Sequence, residues 1–193
     1  MLQAKWRAEG VVRHEERGRA RDSAHVEGLE AVPLRETRLA LGTLITIREA
    51  RDSDTGDLLA LRRELWPHHD AEEEALQLKA TFAGRASSLP LALFVAAEGV
   101  HIVGFVEVGL RSHADGCDAM RPVGFVEGWY VKSDRRRRGI GGALLAKAEA
   151  WARELGCTEM GSDALADNEL SQHAHEALGY SIVDRCVHYR KAL

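Results

Sequence analysis

Between Val123 and Leu155 the chain runs "VGFVEGWYVKSDRRRRGIGGALLAKAEAWAREL", and this segment constrains the fold more than any other. Its first nine residues, mostly apolar, β-branched or aromatic, read as a strand. From Gly139 onward the pattern is helical: Ile140, Leu144, Ala148, Trp151 and Leu155 fall on one stripe, and Gly156 supplies a stop. A strand that enters an Arg/Gly loop and then a helix brings the unpaired first-turn amides of that helix to the loop mouth. Gly139, Gly141 and Gly142 let an anion approach the backbone without a Cβ in the way. Arg135 to Arg138 can add charge-assisted bonds to phosphate oxygens. A pyrophosphate suits both features, whereas four arginines alone would read equally as a solvated basic loop. Neither GxxxxGK[ST] nor a GxGxxG with a later ribose acid is present.

The elements around this segment follow from periodicity. "LITIREA" alternates as a strand, and "DSDTGDLLALRRELW" places Leu58, Leu61, Leu65 and Trp66 at helical spacing behind acidic N-caps. "DAEEEALQLKATFAG" reads as a second helix with acids in its first turn, where the helix dipole favours them. "LALFVAAEG" and "VHIVGFVEVGLRSH" are two strands joined at a Glu-Gly turn. After the long helix come a short strand "CTEMGSD", a helix "NELSQHAHEALGY" and a last strand "SIVDRCVHYRK". The predicted order, β-α-α-β-β-β-α-β-α-β, is that of an α+β domain with one mixed sheet. Residues 1–43 show no sustained period and read as a flexible extension or a start assigned too early, leaving residues 44–193 as the domain.

Charge narrows the partners. The chain carries a net −4, and beyond residue 43, with the arginine quartet set aside, 14 basic residues face 23 acidic ones. Nucleic acid is therefore disfavoured, and a polycationic small molecule would be attracted. Cys117, Cys157 and Cys186 are far apart and lack metal-ligand spacing, so reduced thiols of a cytoplasmic protein are expected, with no metal site and no membrane segment. Among the acids at strand and loop positions (Glu107, Asp115, Asp118, Glu127, Asp163, Asp167, Asp184), Glu127 stands apart. It lies inside the apolar strand "VGFVEGWYV", where a carboxylate is costly without a partner or a task.

"RRRGIG", Arg136 to Gly141, resembles the (Q/R)xxGx(G/A) loop of the GNAT acyl-CoA N-acyltransferases, with the strand before it and the helix after it in the same places. The resemblance spans about residues 44–193 and takes in Asp167–Asn168 and "ALGY" at 177–180. It implies the GNAT fold, a mixed central sheet with helices on both faces, and acetyl-CoA as acetyl donor. Arg136, Arg138, Gly139, Gly141, Gly142 and Asn168 would lie at the cofactor, the backbone from Arg138 to Gly142 holding the pyrophosphate. The strand at Tyr130 and Val131 would pair with the pantetheine as an added strand. Homodimers are usual in this family.

"LRRELWPHH", "GCD", "PVGFVEGWYV", "GCTEMGSD" and "LSQHAHEALGY" are more specifically similar to aminoglycoside 6′-N-acetyltransferases. Carried over, Trp66 and His69 would line the acceptor pocket, and Glu127 and Asp163 would bind ammonium groups. Glu127 would act as base through water, and Asp184 matches a further acidic position of that branch. Trp66 reads equally as core, His69 as an exposed cap, and Asp163 as a helix N-cap. The place where many GNATs carry a proton-donating tyrosine holds His175 here, and "RSHADGCDAMRP" lacks an aromatic that bounds the pocket in the branch. Direct acetyl transfer in a ternary complex to the 6′-amine of an aminoglycoside is thus the implied reaction. Acetylation of a polyamine, a peptide N-terminus or a small metabolite amine is the alternative, and a non-catalytic acetyl-CoA sensor or interaction protein is the rival of another class.

Overall fold

The computed structural model describes residues 44–192; the expectation for residues 1–43 lies outside the described residues. In chain order the elements are β1 (Ile45–Glu49), α1 (Thr55–Leu65), α2 (Ala71–Phe82), β2 (Leu91–Glu98), β3 (His101–Arg111), β4 (Val123–Val131), α3 (Ile140–Glu154), β5 (Met160–Ser162) and α4 (Glu169–Glu176). Single 3-10 turns precede α1 and α3. The sheet order is β1-β2-β3-β4-β5, antiparallel except for the parallel β4–β5 pair joined through α3.

The apolar run of β2 has a simple cause: both of its faces are covered. Ala92, Phe94 and Ala96 enter the cluster under α3 with Ile140, Leu144, Leu145 and Ala148. Leu93, Val95 and Ala97 enter the opposite cluster with Leu58, Leu61, Leu78 and Phe105 under α1 and α2. Strand alternation thus divides one continuous run between two cores. Asp57 near the start of α1 ties that helix to the sheet, accepting from the amide of Ile102 at 2.7 Å. Asp70 caps α2, its carboxylate accepting from the amides of Glu72 and Glu73 at 2.9 and 3.0 Å.

Two irregularities shape the functional end of the sheet. Val108 lies opposite Val126 and Glu107 opposite Gly128, so Glu127 is an extra residue of β4, a β-bulge with no partner in the register. Beyond Val126, which pairs with Ser162, β4 has no β5 neighbour. The two parallel strands therefore part at the bulge, leaving the edge of β4 from Glu127 to Val131 open.

The expected last strand does not form. Residues 181–192 adopt no regular structure, and Ile182, Val183, Val187 and Tyr189 are exposed. A strand needs a partner along its length, and β5, only three residues long, pairs with β4 alone. The side chain of Val183 nonetheless packs where a Cβ on Gly116 would fall, so the tail returns across the loop between β3 and β4.

Candidate active site

The site forms where β4 parts from β5. On its far side lies the start of α3. The first bond of the helix that is not shared with the loop runs from the amide of Ala143 to the carbonyl of Gly139 at 3.0 Å, so the amides of Ile140, Gly141 and Gly142 precede the helical ladder. Gly139 caps the helix with φ 78°, a left-handed conformation that favours glycine. Gly141 has a second role: a Cβ there would come within 2.8 Å of the Trp129 indole. The indole Nε1 is buried beside the helix start without a hydrogen-bond partner among the described residues.

The arginines divide their work. Arg135 binds Glu98 at 2.9 Å and its neighbour Asp134, fixing the loop to β2. Arg136 donates from Nε to the carbonyl of Val131 at 2.9 Å and lies 5.2 Å from the Tyr130 ring centroid. Arg137, with φ 59°, and Arg138 are solvent-accessible. Tyr130 donates its hydroxyl to Glu64 at 2.7 Å; burial and that carboxylate both hold its proton more tightly than usual.

His175 joins β5, α4 and the β4 edge. Its Nδ1 is 2.7 Å from the carbonyl of Ser171, which can only accept, so Nδ1 carries the hydrogen. In the neutral ring Nε2 then accepts from the hydroxyl of Ser162 at 2.9 Å. The ring stands edge-on to Trp129 and Tyr180, and burial pushes the Tyr180 phenol up to about 12. Asn168 caps α4, its side-chain oxygen accepting from the amide of Ser171 at 3.1 Å.

The opposite wall comes from the corner between α1 and α2. Trp66 stacks on His69 with centroids 5.4 Å apart and planes within 9°. Gly128, beside the bulge, admits the indole: a Cβ there would meet it at 2.6 Å. A buried ionic group holds this corner in place. Arg62, 1% exposed, contacts Glu74 at 2.6 Å and Glu107 at 3.2 Å, and its guanidinium lies 5.2 Å from the Trp66 centroid. Glu74 in turn bonds Nδ1 of His69 at 2.7 Å. Trp66 and His69 are therefore neither plain core nor plain surface; they form an aromatic wall backed by three charged groups.

Glu127 lies between the walls, its side chain 14% exposed. Both carboxylate oxygens accept from Arg111, at 3.1 and 2.8 Å. Gly109 lies beside the carboxylate, where a Cβ would make an ordinary contact with Oε1 at 3.4 Å. Asp163, exposed just beyond the end of β5, is within electrostatic reach of both groups; crowding by neighbouring atoms raises its carboxyl above the usual range, Arg111 lowers it and Glu127 raises it. Asp184 stands apart, exposed in the tail, its carboxylate accepting from the neighbouring amide of Arg185 at 2.7 Å.

Trp66 and His69 thus stand over Gly128 beside Glu127, on the α1/α2 face that also holds the Tyr130 ring. Val131 packs on the α3 face, where Gly139, Gly141 and Gly142 begin the helix, and Asp163 lies within electrostatic reach of Glu127 and His175. Arg62, Arg111 and Ser162 were not anticipated. An arginine in an amphipathic helix, or at the end of a strand, reads as a solvated cation. The one available signal for Arg62 is Glu107, an acid in the middle of a doubly covered strand, which demands a buried partner.

Parallel strands that part beside a glycine-capped helix start are the frame of an acyl-CoA-dependent N-acyltransferase. The model of the acetyltransferase (GNAT) family matches residues 55–180, and the chain belongs to that family. It is an N-acetyltransferase with acetyl-CoA as donor. Among its relatives is the aminoglycoside N(6′)-acetyltransferase type 1 of Stenotrophomonas maltophilia, 39% identical over 149 residues, spanning 77% of this chain and 94% of that one. The enzyme of the same name from Klebsiella aerogenes is 35% identical over 147 residues, spanning 76% and 96%. The structure of AAC(6′)-Iy in complex with the bisubstrate analog CoA-S-monomethyl-acetylneamine superposes with a TM-score of 0.68 at 32% identity, covering 77% of this chain and 99% of that one.

Proposed function

We propose that this chain acetylates the 6′-amine of an aminoglycoside, and that the observation carrying this reading is the convergence of Glu127 and Asp163 beside the Trp66–His69 wall. An aminoglycoside presents several ammonium groups on rings joined by glycosidic bonds. Two carboxylates and a flat aromatic face suit that combination better than they suit a single amine.

The residues fit acetyl-CoA. The amides of Ile140, Gly141 and Gly142 would hold its pyrophosphate, with Arg138 adding charge at the rim. The open edge of β4 at Tyr130 and Val131 would take its pantetheine. When bound, acetyl-CoA supplies the thioester carbonyl that the amine attacks. Glu127, through water, would take the proton that the ammonium must lose before it can attack. Protonated at both nitrogens, His175 would give the departing thiolate a proton from Nε2 and return to the neutral ring, in which Nε2 accepts from the Ser162 hydroxyl. Asn168 would contribute to the cofactor side as the residue that fixes the start of α4 and so the placement of His175. Asp184 would reach the acceptor only if the tail moved. Cys157 is buried at the approach to β5 and Cys186 lies in the tail, which favours direct transfer over a covalent acyl-enzyme.

The same reading includes a cytoplasmic homodimer. Its support is the exposed apolar tail, which a second copy would cover, and the three unpaired thiols. Among the described residues no helix is long and apolar enough to cross a membrane. A thiol-release assay with acetyl-CoA and kanamycin tests the function. Turnover is expected; silence with kanamycin and tobramycin alongside full turnover of a polyamine or a peptide N-terminus would reject the aminoglycoside.

A further inference from the structure

We infer that Arg111 is a resident cation in the acceptor subsite, seated on Glu127 in the free enzyme and exchanged for a substrate ammonium on binding. The inference rests on the proposed site for the identity of the acceptor, but not for the exchange itself.

Four observations carry it. First, the guanidinium takes both oxygens of Glu127 in a bidentate fork, at 3.1 and 2.8 Å, so an ammonium cannot gain the same approach while Arg111 stays. Second, the same guanidinium lies 3.3 Å from the Phe125 ring centroid. A carboxylate beside an aromatic face is the chemistry that recognises organic ammonium ions, and here the chain fills it with a cation of its own. Third, the partners differ in freedom: the Arg111 side chain is 40% exposed and that of Glu127 is 14% exposed. The cation is the removable half. Fourth, Arg111 borders a concavity of about 350 Å³ with Leu89, Leu110, Met120, Arg121 and Pro122, into which a released guanidinium can turn.

Exchange gives the site a charge threshold. A monoamine would replace one cation with another and gain little. A polyamine or aminoglycoside replaces Arg111 and also reaches Asp163, which lies within the field of both members of the pair. Arg111 would thereby exclude the monoamines of the cell while admitting polycations.

The test is calorimetry on the full chain with coenzyme A present, titrating kanamycin and, separately, spermidine. R111Q should bind the polycation about fivefold more tightly than the native protein, the worth of one partly exposed ion pair that no longer has to break. R121Q removes the same charge from the same rim without touching Glu127; it separates exchange from general attraction and should tighten binding less. In the native protein the Arg111 Nε–H resonance, assigned by its loss in R111Q, should shift or broaden at saturating polycation. Tightening with spermidine but not kanamycin would keep the exchange and remove the aminoglycoside. An unmoved resonance, equal gains in R121Q, or weaker binding in an R111Q that melts like the native protein would overturn it. If R111Q fails to fold, R111K, which also lacks the Nε–H, supplies the assignment, and the response of the native resonance to saturating polycation decides the matter.

Discussion

At the scale of single residues, the site sets one carboxylate against several that serve structure. Glu127 is the proposed base, and E127Q should lower kcat at neutral pH by roughly 100-fold or more, the range of general-base catalysis. The Kd for acetyl-CoA should stay within about twofold, because the cradle at α3 does not touch it. Stopped-flow kinetics with parallel calorimetry separates the two effects; equal losses in both would return Glu127 to a structural role. Asp54 illustrates the opposite case. Its carboxylate takes two bonds from Arg48, at 2.6 and 2.8 Å, and one from the amide of Arg51 at 2.8 Å. Chiefly through Arg48, its carboxyl titrates below the ordinary aspartate value in the folded protein. The stabilisation is therefore complete above the unfolded value and fades as pH falls through the folded one. R48Q should cost about 1 kcal/mol in urea unfolding at pH 7, and the difference should shrink as the titration moves below about pH 4. A constant difference at all pH values would contradict the linkage.

At the scale of elements, the corner between α1 and α2 carries the aromatic stack proposed to meet the acceptor, and β4 receives it at Gly128. G128A places a methyl where the Trp66 indole lies, 2.6 Å from its nearest atom. Overpacking of this kind costs about 1–3 kcal/mol. The acceptor KM should rise while the acetyl-CoA KM holds; the reverse would move Trp66 away from the acceptor side. Most of this architecture was legible from residue order. Alternation and helical spacing yield the strands and helices because each element meets the core along a fixed face. The α3 start was legible for the same reason, since strand, glycines and stripe share one local grammar. The last strand was not, because pairing partners are not local and "SIVDRCVHYRK" alternates whether or not a neighbour exists. Glu127 was legible as an acid in an apolar strand, yet its bulge was not, since an inserted residue is visible only against the register of β3. The pairing of Arg111 with Glu127 joins residues 16 apart across that same register. The proposal that Trp66, His69 and Asp163 meet the acceptor comes from the family resemblance, and no periodicity would have singled them out.

At the scale of the whole molecule, an acidic domain facing a polycation predicts a salt effect. Raising ionic strength from about 0.05 to 0.5 M should lower kcat/KM for kanamycin by about tenfold through screening of the approach. The KM for acetyl-CoA, whose charge is of the opposite sign, should not rise in parallel. Steady-state kinetics at fixed pH measures both, and identical salt slopes would rule out steering by the acidic surface. The bulge carries a last consequence of a different order. In a regular strand, insertion of one residue turns every later side chain to the other face, and the two cores of this sheet leave no tolerance for that. Glu127 occupies a position outside the count: Val126 pairs with Val108 and Gly128 with Glu107 on either side of it. The chemistry of the acceptor side can thus drift under selection, or be rewritten by design, one residue at a time, while the scaffold that presents it inherits no change.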